Sequence, residues 1–257
     1  MSHPAYGTLR PVTETASVLL CDNPGHMTLD GTNTWLLRGR GSDEFIVVDP
    51  GPDDEEHITR LAAAGRIPLV LISHRHGDHT DGIDRIVAAS GAVVRSVGSG
   101  FLRGLGGPLT DGEVIEEAGV RITVMATPGH TSDSLSFVMD DAVLTADTVL
   151  GRGTTVIDGE DGSLAAYLES LRRLQGLGAR TVLPGHGPEL ADLSAVAAMY
   201  LAHREERLGQ VREALTVLGE DATPRQVVEH VYADVDEKLW EAAEQSVRAQ
   251  LDYLRVE

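Results

Sequence analysis

The run Ser73-His74-Arg75-His76-Gly77-Asp78-His79 constrains this chain more than any other feature. Four side chains able to ligate a metal, His74, His76, Asp78 and His79, fall within six consecutive residues. His74 and His76 are two apart, so an extended turn points both imidazoles to the same side. Asp78 and His79 fall where a helix is expected to start and aim at a second point. Packing three imidazoles and a carboxylate together costs desolvation, and repulsion once the rings are protonated. A shared cation removes both costs. This donor set suits Zn2+, or another borderline ion such as Mn2+ or Fe.

Three further ligand-type residues sit in similar settings, where an apolar segment meets a loop: His130 in Thr127-Pro128-Gly129-His130-Thr131, Asp147 in Leu144-Thr145-Ala146-Asp147-Thr148, and His186 in Leu183-Pro184-Gly185-His186-Gly187. Sheet folds place reactive groups at such strand ends. The surrounding pattern predicts strands at 33–37 and 45–48 as a hairpin, then at 69–72, 93–97, several segments of 113–137, 142–145 and 181–183. Helices are expected near 54–64, around Ile83, Ile86 and Val87, and after Ser163, whose side chain would cap a helix carrying Leu164, Leu168 and Leu171 on one face. The remaining histidines, His3, His26, His57, His203 and His230, stand alone and are given no role. Cys21 has no base nearby and is expected to be inert.

The texture changes after Pro188. Residues 190–257 have no clear long strand and read as helical: a long stretch over 195–218 with a break expected at Gly209, a start at Thr223-Pro224, and a last helix over 237–254. The expected division is a catalytic domain over 1–194 and a small domain over 195–257.

The order and spacing of Asp49, the His74–His79 run, His130, Asp147 and His186 resemble the metallo-β-lactamase fold superfamily over residues 30–188. That resemblance implies an α/β fold, a four-layer αβ/βα sandwich with its site at one edge. It also implies a ligand set: His74, His76 and His130 on one metal, Asp78, His79 and His186 on a second, and Asp147 bridging two Zn2+. Asp49 would support a ligand, and Asp78 would also orient the nucleophile, giving it a catalytic role. The segment from Asn23 to Trp35, with Ala202-His203-Arg204 and Thr223–Leu254, resembles the lactamase-β-2-like group, which carries a small, mostly helical winged-helix appendage and includes single-strand endoribonucleases.

The implied activity is zinc-dependent hydrolysis, with a hydroxide held between two metals attacking the carbonyl of a small ester, thioester, lactone or lactam. Cleavage of single-stranded RNA as a metal-dependent phosphodiesterase is the alternative, and a non-catalytic iron redox scaffold is a third class. The chain carries 21 basic and 40 acidic residues, a net charge of −19, and 4% aromatics. That balance argues against a stable grip on duplex nucleic acid. The expected partner is therefore a small-molecule or single-stranded RNA substrate. No apolar run approaches the roughly 20 residues of a membrane span. One cysteine and an N-terminus without a basic-then-apolar pattern point to a cytoplasmic setting. There is no phosphate-binding Walker loop and no Gly-x-Ser-x-Gly elbow; the glycines from Gly98 to Gly107 read as a loop. Arg75 is expected to form a structural ion pair.

Overall fold

Short strands with apolar residues on both faces build the first of two sheets. The computed structural model describes residues 5–157, 159, 161–233, 236–237 and 240–255. In the first sheet β1 (Arg10–Pro11), β2 (Ala16–Leu20), β3 (Asn33–Leu37), β4 (Glu44–Val48), β5 (Arg66–Leu71) and β6 (Val93–Arg95) lie side by side in chain order. Pairing is antiparallel from β1 to β4 and parallel from β4 to β6. Trp35, Leu37, Ile46, Val48, Leu69 and Leu71 face the second sheet, while Leu36, Phe45, Val47, Val70 and Ile72 face outward. Such doubly apolar strands need cover on both sides. Helices α1 (Glu55–Ala64) and α3 (Ile83–Ser90) supply it on the outer face through Ile58, Leu61, Ile83 and Ile86. Asp54 caps α1 by accepting from the His57 N–H. Between them α2 (Gly77–Thr80) is a single turn that carries Asp78 and His79.

The second sheet runs β11-β10-β9-β8-β7, from β7 (Val114–Glu117), β8 (Val120–Ala126), β9 (Leu135–Val138), β10 (Ala142–Ala146) and β11 (Thr181–Pro184). Ile122, Val124, Leu135, Phe137 and Leu144 meet the first sheet in the central core. Val143 and Val182 point outward onto α4 (Leu164–Gln175), capped by Ser163 as expected, and onto α5 (Leu193–Leu218). Two sheets face to face with helices outside make the expected four-layer αβ/βα sandwich.

The tail is helical, with α6 (Pro224–Val231) and α7 (Trp240–Leu254) packed on the second half of α5 through Val211, Ala214, Val227, Val228, Val247 and Leu251. Thr223 and Gln226 close a capping box at the start of α6. Among the described residues the tail contains no strand. The expected division at 194/195 falls in the first turn of α5, one continuous helix whose Leu193, Tyr200 and Leu208 belong to the layer over the second sheet and whose Val211 and Ala214 belong to the tail.

Several boundaries differ from expectation. β2 was not anticipated; it is defined by its pairing with β3. β5 starts at Arg66 and contains Pro68, tolerated where the pairing with β4 shifts between Glu44 and Ile46. The helix α5 is not broken at Gly209. The last helix begins at Trp240, and residues 238–239 of its expected start lie outside the described residues. Among the described residues no helix is long and apolar enough to cross a membrane.

Candidate metal centre

The ends of five strands converge at one edge of the sandwich. Asp49 follows β4, the Ser73–His76 loop follows β5, His130 lies in the β8–β9 turn, Asp147 follows β10 and His186 follows β11. Two non-glycine residues here have left-handed backbone, Asp49 at φ 54° and Ala146 at φ 45°. Such conformations persist only where surrounding structure holds them, and they cluster at functional sites.

The side chains form two sets that share Asp147. In the first, His76 Nδ1 lies 3.0 Å from His74 Nε2 and 3.0 Å from His130 Nε2, and Asp147 Oδ2 is 4.0 and 3.8 Å from the same two Nε2 atoms. In the second, Asp78 Oδ2 is 3.1 Å from His186 Nε2 and 3.4 Å from His79 Nε2, which are 3.3 Å from each other. Asp147 reaches this set too, with Oδ2 3.3 Å from His186 Nε2 and Oδ1 3.5 Å from His79 Nε2. Tetrahedral ligands bonded at about 2.0–2.1 Å stand about 3.3–3.4 Å apart. The second set lies close to that spacing, at 3.1–3.5 Å, and the first brackets it, at 3.0–4.0 Å.

Hydrogen bonds on the far side of the rings decide which nitrogens face inward. His130 Nδ1 donates to Val156 O at 2.6 Å, and His186 Nδ1 to Gly31 O at 3.1 Å. His79 Nδ1 donates to Asp49 Oδ2 at 2.9 Å. His74 Nδ1 lies 2.9 Å from Ser73 Oγ, which itself donates to Asp49 Oδ2 at 2.6 Å. These bonds put the N–H on Nδ1 and leave Nε2 as a lone pair. In the neutral rings the His79 and His186 lone pairs then face each other across 3.3 Å, an arrangement a cation between them stabilises. Among the described residues the buried Asp147 Oδ1 has no hydrogen-bond partner. An orphaned buried carboxylate oxygen beside bare imidazole nitrogens is the donor set of a metal, and the residues fit two divalent ions.

The electrostatics agree. Burial opposes charge on Asp147, yet the His186 and His79 imidazoles hold its carboxyl well below the usual range. Burial would likewise lower His186, but Asp147 and then Asp78 raise it to about 9. Burial would lower His79 too, and Asp147 and Asp49 push it well above the ordinary value. His74 goes the other way, because burial is reinforced by the neighbouring His79. The carboxylates call for positive charge between the second set of ligands, which a proton or a metal can provide.

All seven sequence-predicted ligands, His74, His76, Asp78, His79, His130, Asp147 and His186, are thus brought together. Asp49 stands behind them. Its Oδ1 accepts from Ser73 N at 2.8 Å and its Oδ2 from Ser73 Oγ and His79, so both oxygens are engaged away from the centre. Arg75 pairs with Asp133 at 3.2 Å and Asp161 at 2.8 Å, as expected of a structural ion pair. His57 is buried against Thr34 and lies outside the centre. Sequence reasoning missed Ser73, although it directly precedes His74, and it missed Asn33. The Asn33 amide donates to Pro184 O at 3.0 Å and Gly187 O at 2.8 Å, clamping the His186 loop to the first sheet. Gly185 is tightly enclosed. A Cβ there would lie 2.4 Å from Asp147 Oδ1 and 2.9 Å from His79 Cε1.

Comparison with known proteins is consistent with this geometry. The family model for the metallo-beta-lactamase superfamily matches residues 27–186. The chain belongs to the metallo-beta-lactamase superfamily. Its members are generally metal-dependent hydrolytic enzymes. A second model, the beta-lactamase associated winged helix domain, matches residues 223–257. Among curated relatives of this superfamily member, the lactamase-like protein adaB of Aspergillus niger is 33% identical over 220 residues, covering 82% of this chain and 67% of its own length. The beta-lactamase-like protein 2 homolog of Caenorhabditis elegans is 32% identical over 243 residues, covering 88% and 79%. A beta-lactamase domain protein from Burkholderia ambifaria has a similar fold, with a TM-score of 0.83 at 21% identity over 99% of this chain and 89% of that one.

Proposed function

We propose that this protein is a dinuclear metal hydrolase acting on the carbonyl of a small ester, thioester, lactone or lactam. The observation that carries the reading is the sharing of Asp147 between two compact sets of ligand-type side chains. On this reading His74, His76 and His130 hold one ion and Asp78, His79 and His186 the other. Bound divalent ions supply Lewis acidity and lower the pKa of a coordinated water to about 7, which makes hydroxide available at neutral pH. The protein's own residues do the rest. Asp49 and Ser73 hold the His79 and His74 rings in their ligating tautomers. Asp147, kept deprotonated, contributes an anionic oxygen to each set. Asp78 is less buried than its neighbours, with a quarter of its side chain exposed. It stands where its carboxylate can orient an attacking water and accept its proton, which supports its catalytic role.

Zn2+ is the expected metal on donor chemistry. Similarly folded proteins are described in a di-iron form and in a mono-zinc form, so metal content is the first thing to measure. Purified protein loaded with zinc, manganese or iron should be assayed on thioesters, lactones, a chromogenic cephalosporin and fluorogenic single-stranded RNA. Two metals per chain with turnover of a carbonyl substrate supports the proposal. Turnover confined to the RNA would replace it with a phosphodiesterase.

A further inference from the structure

We propose that a cavity between the metal domain and the tail is a binding site for a phosphorylated organic molecule that also carries a hydroxyl or amide hydrogen. The cavity is about 340 Å³ and is walled by the 154–156 segment on one side and by α5 and α7 on the other. Every ionisable side chain with a formal charge in its lining is basic, Arg204 and Arg207, and His203 adds an imidazole. That is a local reversal on a chain of net charge −19. Among the described residues neither arginine lies within ion-pair distance of a carboxylate. Arg207 instead donates to Gln210 at 2.7 Å and stacks over Tyr232.

Two lining residues have unmet hydrogen-bonding capacity. Arg204 is 4% exposed and Gln250 2% exposed. Among the described residues, Arg204 Nε and Gln250 Oε1 have no partner. The first atom donates and the second accepts, so one ligand meets both only if it brings an acceptor and a donor. A phosphate monoester matches the first requirement, with a charge near −2 and strong acceptor oxygens opposite two guanidiniums. A hydroxyl or amide close to the phosphate matches the second. The arrangement is also fixed in place, since Arg204 is held by Thr155 O and by stacking on Tyr167.

The cavity adjoins the centre through its floor. Val156 O accepts from the ligand His130, and Thr155 Oγ1 donates to Asp147 O at 2.8 Å. The cavity and the centre thus share the 154–156 segment as a common wall. On this proposal the cavity selects molecules by a phosphate bound apart from the metals. The assignment of this ligand as substrate rests on the hydrolase reading; the binding site itself does not.

The test is calorimetric titration of metal-loaded protein with glycerol 3-phosphate, inorganic phosphate and glycerol. Saturable binding of glycerol 3-phosphate, tighter than that of phosphate and absent for glycerol, is expected. Arg207→Met and the near-isosteric Gln250→Leu should each weaken it by about tenfold or more, the loss of one charge-assisted or buried hydrogen bond. His76→Ala should leave it in place. Binding unaffected by Arg207→Met and Gln250→Leu, or lost in His76→Ala alone, would assign the phosphate to the metals and overturn the proposal; so would no saturable binding. If the site binds but no carbonyl substrate is turned over, the hydrolase reading fails and the binding site stands.

Discussion

Asp49 Oδ2 lies 2.9 Å from His79 Nδ1 and accepts from Ser73 Oγ at 2.6 Å, so one buried carboxylate steadies a ligand of each set. Its backbone is left-handed, at φ 54°, a conformation that the bonds to Ser73 and His79 help to hold. Asp49→Asn preserves the shape but removes the charge that keeps both rings in their ligating form. Metal affinity should fall about 10- to 100-fold, the usual effect of losing such outer support. Competition with a coloured chelator measures this directly. An unchanged affinity would show that the tautomers are fixed without Asp49.

Gly185 offers a sharper steric test. The only space for a Cβ at this position is already filled by Asp147 Oδ1 and His79 Cε1. Gly185→Ala should therefore displace the shared carboxylate and reduce the metal bound per chain. Circular dichroism should stay near that of the wild type, because the clash is confined to the edge. Full metal content in the variant, counted by elemental analysis, would mean the loop yields at little cost.

The candidate ligands were legible in the sequence because six of their positions lie in short motifs with turn residues, and because their chemistry is wasteful without a cation. Their supports were not. Asn33 acts on Pro184 across 151 residues, and Gly185 matters only through what crosses over it. No local pattern records a tertiary approach. The same reason hid β2: Ala16–Leu20 is short, lies in a polar N-terminal stretch, and becomes a strand by pairing with β3. The capping signals at Ser163 and Thr223 were readable because they act within three residues.

His57 should make stability depend on pH. Burial pushes its pKa down from 6.5 to about 4, against the opposing pull of Asp54. Between those values the unfolded chain binds a proton that the native chain refuses. Stability therefore rises with pH through this window and is lost as pH falls below 6.5, by about 3 kcal/mol at its lower end. His57→Gln can still meet Thr34 but does not titrate. Urea unfolding from pH 4 to pH 7 should show a shallower pH slope in the variant than in the wild type. Parallel slopes would mean that His57 is protonated in the native state.

Cys21 should be silent in the folded protein. It is buried, and burial with the neighbouring Asp54 raises its thiol to about 12. Thiolate is the reactive form, so native protein should resist iodoacetamide at pH 8 while urea-unfolded protein is alkylated. Rapid native labelling would place Cys21 nearer the surface than its packing indicates.

Gly209 lies exposed within the uninterrupted helix α5, and a Cβ there would meet nothing within 4 Å. The glycine neither breaks the helix nor accommodates a neighbour, so it contributes only its conformational freedom in the unfolded chain. Gly209→Ala should then stabilise the protein by about 0.5–1 kcal/mol, a rise of roughly 1–4 °C in Tm. Because α5 joins the catalytic layer to the tail, the gain should appear in unfolding followed at either end. A destabilised variant would show that the helix needs to bend at Gly209, and the expectation of a break there would regain its footing as a feature of motion.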